Sequence, residues 1–240
     1  VSPADYAVLG ATMFVASGLQ GSIGFGAGLV AAPVIALVEP SLLPALVVML
    51  ACVLTLLVAI RDRAALDVRG ASWALAGRAP GSMLGAWLVV AVSATTLSWI
   101  VAIAVLTGIG SAFLGWRPAR TPATLAIAGV LSGIMGTATS VGGAPMAIIW
   151  QGLPPARIRA TMSAFFLVGS LMSVGLLAFA GLVTPAVVQA FLLLVPVVLA
   201  GFFASRWLNR FLDADRLRLA GLFAAAAGAV VLAVRLILGG

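Results

Sequence analysis

The sequence predicts an all-α, polytopic membrane protein: two inverted repeats, each a re-entrant hairpin of broken short helices followed by three transmembrane helices, about ten helices in all. Three observations lead there. Of the 240 residues, 63% are hydrophobic and 8% charged, where a soluble domain carries roughly 25% charged residues. Apolar stretches of about 20 residues, the length that crosses a bilayer, recur along the whole chain. Two of them are too long and too rich in glycine to be plain helices, and they lie 116 positions apart.

Hydropathy divides the chain into eight apolar blocks, 5–38, 42–60, 71–92, 96–115, 122–150, 157–180, 185–205 and 217–238. The first and fifth carry breaker clusters, "GSIGFGAG" at 21–28 and "GTATSVGGAP" at 136–145. Each glycine weakens a helix by about 1 kcal/mol against alanine, so these are places where a helix stops and turns. Sliding the chain by 116 positions puts Gly26 on Gly142, Pro80 on Pro196 and Gly85 on Gly201. The division is therefore a first repeat at 1–120 and a second at 121–240.

Charge sets the topology. All 13 cationic side chains are arginine, giving a formal charge of +7, and most lie in short loops, as in loops anchored beside anionic lipid. In the first half they follow the second block, "RDRAALDVR" at 61–69, whereas the matching "AGLVT" at 180–184 has none. Conversely "VEPSLLP" at 38–44 has no arginine and its counterpart "PPARIRA" carries Arg157 and Arg159. With positive loops inside, 61–69, 116–121, 151–159 and 206–218 are cytoplasmic and the protein is a multi-pass component of the plasma (inner) membrane. Both ends of 122–150 then lie on one side, so this block enters and returns, and by the repeat 5–38 does so from the other face. The alternative, glycines serving only close helix packing, leaves the reversed charge bias unexplained. Arg235, near the outer end of the last helix, does not fit the pattern. The six tryptophans mostly mark block ends, as in interfacial belts.

Composition also excludes chemistry. There is no histidine and a single cysteine, Cys52, which rules out Ser-His-Asp, Cys-His and His-zinc sites within the chain. No enzymatic turnover, cofactor or metal is expected, and nucleic acid is not an expected partner. Asp5, Glu39, Asp62, Asp67, Asp213 and Asp215 all fall near block ends, so none is placed as an intramembrane proton carrier. Proton coupling through a protonated substrate stays open, as does a homo-oligomer.

Broken helices in inverted repeats aim half-helix N-termini at mid-membrane, where unpaired N–H groups favour an anion. The first tip offers Gly24, Phe25, Gly26, Ala27 and Gly28; the second offers Thr137, Thr139, Ser140, Gly142 and Gly143, whose hydroxyls are expected to add orientable donors. Arg78, about seven residues into block 71–92, is either part of this anion site or an anchor that snorkels to the interface. Gln20, Thr55, Thr161 and Ser163 are candidates for the cavity lining, or else helix–helix hydrogen bonds.

The segments "GFGAGLVAAPVIAL", "VGGAPMAIIWQGLPPARIRATMSAF" and "RAPGSMLGAWL" resemble the sulfite exporter TauE/SafE family, also called the toluene sulfonate uptake permease family. The resemblance covers nearly the whole chain. It implies transport, often outward, of small sulfur-containing anions: sulfite, organosulfonates or sulfonated carboxylates. The family's glycine pair followed by a proline is matched by Gly142, Gly143 and Pro145, with the proline arriving early. An anion channel of similar fold and a non-transporting membrane scaffold are the competing readings.

Overall fold

The computed structural model describes residues 2–113, 118–211 and 214–238. The expectations for Trp116, Trp207, Asp213, Asp215 and the loops 116–121 and 206–218 fall wholly or partly outside what is described. The described residues form ten α-helices and no strand: α1 (Pro3–Ile23), α2 (Ala27–Val38), α3 (Ala45–Asp62), α4 (Val68–Ala91), α5 (Ala94–Phe113), α6 (Pro122–Thr139), α7 (Gly143–Trp150), α8 (Pro155–Phe179), α9 (Pro185–Phe211) and α10 (Ala214–Ile237). Five segments, 45–65, 68–91, 122–139, 155–179 and 185–205, are long and apolar enough to cross a membrane. The chain is an all-helical, multi-pass membrane protein.

The two breaks occur where glycine was expected to stop a helix. Gly24 closes α1 at φ 96° and Gly26 precedes α2 at φ 109°, in the left-handed region that a Cβ disfavours. Ser140 closes α6 in the same region at φ 63°, and Gly143 opens α7. The arms are unequal. α1 has 21 residues and α6 has 18, about 30 Å at 1.5 Å per residue, so each first arm has the length of a full span. Only the returns are short, 12 residues in α2 and 8 in α7. In length, the expectation of two short arms therefore holds for the second arm of each hairpin and not the first.

Helix bounds recur at the 116-residue offset, with α1 and α6 ending at Ile23 and Thr139, and α2 and α7 starting at Ala27 and Gly143. Packing partners exchange in the same way. The α4–α6 contact corresponds to α9–α1, α4–α8 to α9–α3 and α2–α10 to α7–α5, while α3–α8 and α5–α10 map onto themselves. The α4–α6 contact is built on small residues. A Cβ on Gly77 or Gly81 would collide with the carbonyls of Ala126 or Val130, and one on Gly129 with that of Ala74, so the two backbones touch as small-residue membrane interfaces do. Glycine thus serves both roles, turning at Gly24 and Gly26 and packing along α4 and α6.

The basic stretch 206–218 is largely helical, since α9 runs to Phe211 and α10 begins at Ala214. Arg235 has a role after all: its guanidinium donates to the Leu37 carbonyl, placing a cation at the C-terminus of α2 where the helix dipole favours one. Trp73 and Trp87 are exposed near the ends of α4, but Trp150 is 1% exposed and packs edge-on to Phe165 at 5.6 Å. It belongs to the core and not to an interfacial belt.

Candidate functional site

Arg78 lies ten residues beyond the first residue of α4, about 15 Å along the helix and half the thickness of a hydrocarbon core. The helix starts earlier than block 71–92 implied, because the Asp67 side chain caps it by accepting from the Gly70 N–H at 3.1 Å. The side chain does not snorkel: Arg78 is 2% exposed. Its Nη1 donates to Ser132 Oγ at 2.8 Å, and its guanidinium lies over Phe165 and Phe166, 4.9 and 5.4 Å from the ring centroids. Room for it comes from Gly169, where a Cβ would overlap Arg78 Nε, and from Gly136, where a Cβ would lie 3.1 Å from Nη2. No carboxylate pairs with Arg78 among the described residues, and its buried Nε has no hydrogen-bond partner. A buried cation so poorly paired is costly unless something else completes it.

Beside the guanidinium is a cavity of about 50 Å³ lying between the two tips, enough for a few waters or one compact oxyanion. Of the residues singled out from the sequence, Gln20, Phe25, Gly26, Gly28, Thr55, Arg78, Ser140, Gly142 and Gly143 line it. The tips themselves touch. A Cβ on Gly28 would collide with the Ser140 carbonyl, and one on Gly143 would come within 3.1 Å of the Phe25 ring. Gln20 accepts from the Ala27 N–H through Oε1 at 3.1 Å, capping α2 and leaving its Nε2 only as a donor.

The remaining candidates sit elsewhere. Gly24 packs on Arg159, and Ala27 meets the site only through the amide bonded to Gln20. Thr137 pairs with Ser173 at 2.7 Å, and Thr139 donates to the Met135 carbonyl at 2.6 Å. Thr161 accepts from the Asp67 N–H at 3.0 Å, joining α8 to the start of α4. Ser163 is fully buried with its hydroxyl unpartnered and does not line the cavity. The tip hydroxyls are not the orientable donors they were expected to be, because Ser140 also spends its hydrogen, on the Pro44 carbonyl at 3.2 Å. Nor does a side chain at Gly142 point at the cavity. Its φ is −81°, and a Cβ there would lie 2.7 Å from the Ser132 carbonyl, so a larger residue would break the α6 contact before it met a substrate.

Several residues that line the cavity or hold Arg78 escaped the sequence reading. Ser132 holds Arg78 and also donates to the Gly142 carbonyl at 2.7 Å, tying the cation to the second tip. Its signal was available, since Gly129, Ser132, Gly133 and Gly136 share one helical face. Ser170 lines the cavity with no hydrogen bond to its hydroxyl among the described residues, and nothing in "FLVGSLMS" marks it or Gly169 as special.

At one end of the molecule, Asp62 receives Arg61 and Arg159, each at 3.1 Å. This joins the stretches 61–69 and 151–159 side by side. Arg61 also donates to the Gly21 carbonyl at 3.0 Å.

The sulfite exporter TauE/SafE family model matches residues 9–234. The chain belongs to this family. The match spans both hairpins, all ten helices in whole or part, and every residue that lines the cavity. No curated protein and no solved structure matches the chain. As a TauE/SafE member it is a membrane transport protein of a family described by sulfite export.

Proposed function

We propose that this TauE/SafE protein exports small sulfur-containing anions, held between the two tips in the cavity at Arg78. One observation carries the reading: a buried arginine, with no carboxylate partner among the described residues and an unpartnered Nε, borders a cavity formed by both helix breaks. An anionic substrate supplies the missing partner. The Gly28 and Leu29 amides, in the first turn of α2, have no earlier turn to bond to and add the positive end of a helix dipole. An anion leaving an inside-negative cell gains about 2.3 kcal/mol per charge per 100 mV, so export needs no second ion.

In this reading the halves 1–120 and 121–240 are an inverted repeat in the plasma membrane, and the basic loops face the cytoplasm. The exchange of packing partners and the Asp62–Arg159 contact between 61–69 and 151–159 support it. Cysteines at Ala65 and Ala156 in a Cys52→Ala background are then labelled from the same, cytoplasmic side. Labelling from opposite sides overturns the topology.

The site is tested by counterflow of radiolabelled sulfite and sulfonates in proteoliposomes, with binding measured in detergent. Arg78→Gln is expected to keep its folded yield and to lose about 1.5–3 kcal/mol of anion affinity, the worth of a hydrogen bond to a charged group. Unchanged affinity in a folded Arg78→Gln protein puts the site elsewhere.

A further inference from the structure

The polar groups around the cavity differ in what they have left to offer, and on the reading that the anion binds at Arg78 this narrows the substrate class. Arg78 is the one charged side chain lining the cavity among the described residues. The Gln20 amide oxygen accepts from the Ala27 N–H, and its NH2 group leaves two N–H donors. Thr55 donates its hydrogen to the Ala51 carbonyl at 2.7 Å and Ser140 donates to that of Pro44 at 3.2 Å. Both therefore present only oxygen lone pairs inward.

An oxyanion with one negative charge is balanced by Arg78. A second negative charge would lie in a partly open, largely apolar space with no second cation among its lining residues, where an uncompensated charge is expensive, and it would face the lone pairs of Thr55 and Ser140. A hydroxyl on the substrate meets those lone pairs as a donor. We propose that the cavity selects the singly charged form of its substrate: hydrogen sulfite over the sulfite dianion, and sulfonates with a neutral tail over sulfonated carboxylates. When sulfite is the cargo, its proton crosses on the substrate, and no protein carboxylate relays it.

The protein makes a clean background for testing this. It has no histidine. Against α4 near Arg78 pack α6, which has no titratable side chain, and α8, with Arg157 and Arg159 at its start; behind them α7 packs on α6 and has none, and α3 packs on α8 and carries Cys52, Arg61 and Asp62. Across the site, α1 contributes Asp5 and Tyr6 at its far end and α2 contributes none. Histidine is the side chain that ordinarily changes charge in the range pH 6–8, and Cys52→Ala removes the one thiol.

Binding of methanesulfonate, sulfite, sulfate and sulfoacetate to the Cys52→Ala protein, measured by calorimetry in detergent from pH 6 to 8, tests the proposal. Methanesulfonate, a fixed monoanion, is expected to bind with constant affinity. The apparent Kd for total sulfite is expected to rise towards tenfold per pH unit above its second ionisation, with sulfate and sulfoacetate at least tenfold weaker than methanesulfonate. Sulfite affinity that does not change with pH, or a dianion that binds as tightly as methanesulfonate, overturns the charge selection while leaving the site in place. Methanesulfonate binding that is equal in Arg78→Gln and in the parent protein removes the site itself, and the selection with it.

Discussion

Arg78 in α4 and Leu194 in α9 occupy matching places, each two residues before a proline inside its helix, yet their surroundings differ at almost every position. Arg78 has Ser132 as acceptor, Phe165 and Phe166 as aromatic faces and Gly169 as the gap that admits its guanidinium. The positions 116 residues away are Ala16, Met49, Leu50 and Val53. Leu194, Ala16 and Leu50 share one apolar core with Met49 packed against it. Gln20, in turn, corresponds to Gly136, the residue that makes room beside Arg78 Nη2. Helices from both halves of the chain thus frame one cavity, but among its lining residues only one half brings a charge to it. A buried cation needs space, an acceptor and polarisable faces together, and substituting one residue in an apolar setting supplies none of them.

The largest effect should come from forcing the halves to be alike. Leu194→Arg places a cation among Ala16, Met49 and Leu50 with no acceptor, and is expected to cost about 3–5 kcal/mol, the penalty of an unpaired buried charge. Detergent thermal melts and folded yield measure it; a variant as stable as the parent would mean that the second half can host a cation unaided.

Next is Gly169→Ala, whose new methyl would overlap Arg78 Nε. Overpacking of this kind costs about 1–3 kcal/mol, and displacement of the guanidinium should abolish anion binding. Adding Arg78→Leu, which copies the Leu194 side, is expected to restore the melting temperature but not binding. If stability does not recover in the double variant, the clash lies elsewhere in α8.

Ser132→Ala removes the acceptor of Arg78 Nη1 and the donor to the Gly142 carbonyl, and should cost about 1–3 kcal/mol in stability and affinity taken together. If Ser132 acts through the arginine, its effect on affinity disappears in an Arg78→Gln background. Additive losses would instead assign it to holding the second tip alone.

The smallest effect is expected from Phe165→Leu, which removes one ring face under the guanidinium at a cost of about 1–2 kcal/mol, the worth of a desolvated cation–π contact together with lost packing against Trp150. The same change at Met49, which already lacks a ring, should be within experimental error by thermal melt. A loss at Met49→Leu equal to that at Phe165→Leu would show that packing, not the cation, sets the value.

Much of the scaffold was legible in the sequence. Helix number, the break at Gly24–Gly26 and the break at Ser140–Gly142 follow from local chemistry: spans need long apolar runs, and left-handed turns need glycine or a small polar residue. The placing of the two helix breaks 116 positions apart needed only the spacing of glycines and prolines. Family membership was likewise visible in the glycine-rich segments that the TauE/SafE match covers.

The tertiary structure alone decided which of the polar residues meet. Arg78 could be an anchor or a site residue from its position in the chain, and what settled its burial was a gap at Gly169, 91 positions away on another helix. Likewise Thr137, Thr139 and Ser140 looked equivalent in "TATS", yet their hydroxyls go to Ser173, Met135 and Pro44. Local sequence sets where a helix begins, bends and ends, because those preferences act over one or two turns. Which side chains share a cavity depends on contacts between helices far apart in the chain, and there a missing methyl at one glycine decides where a charge can lie.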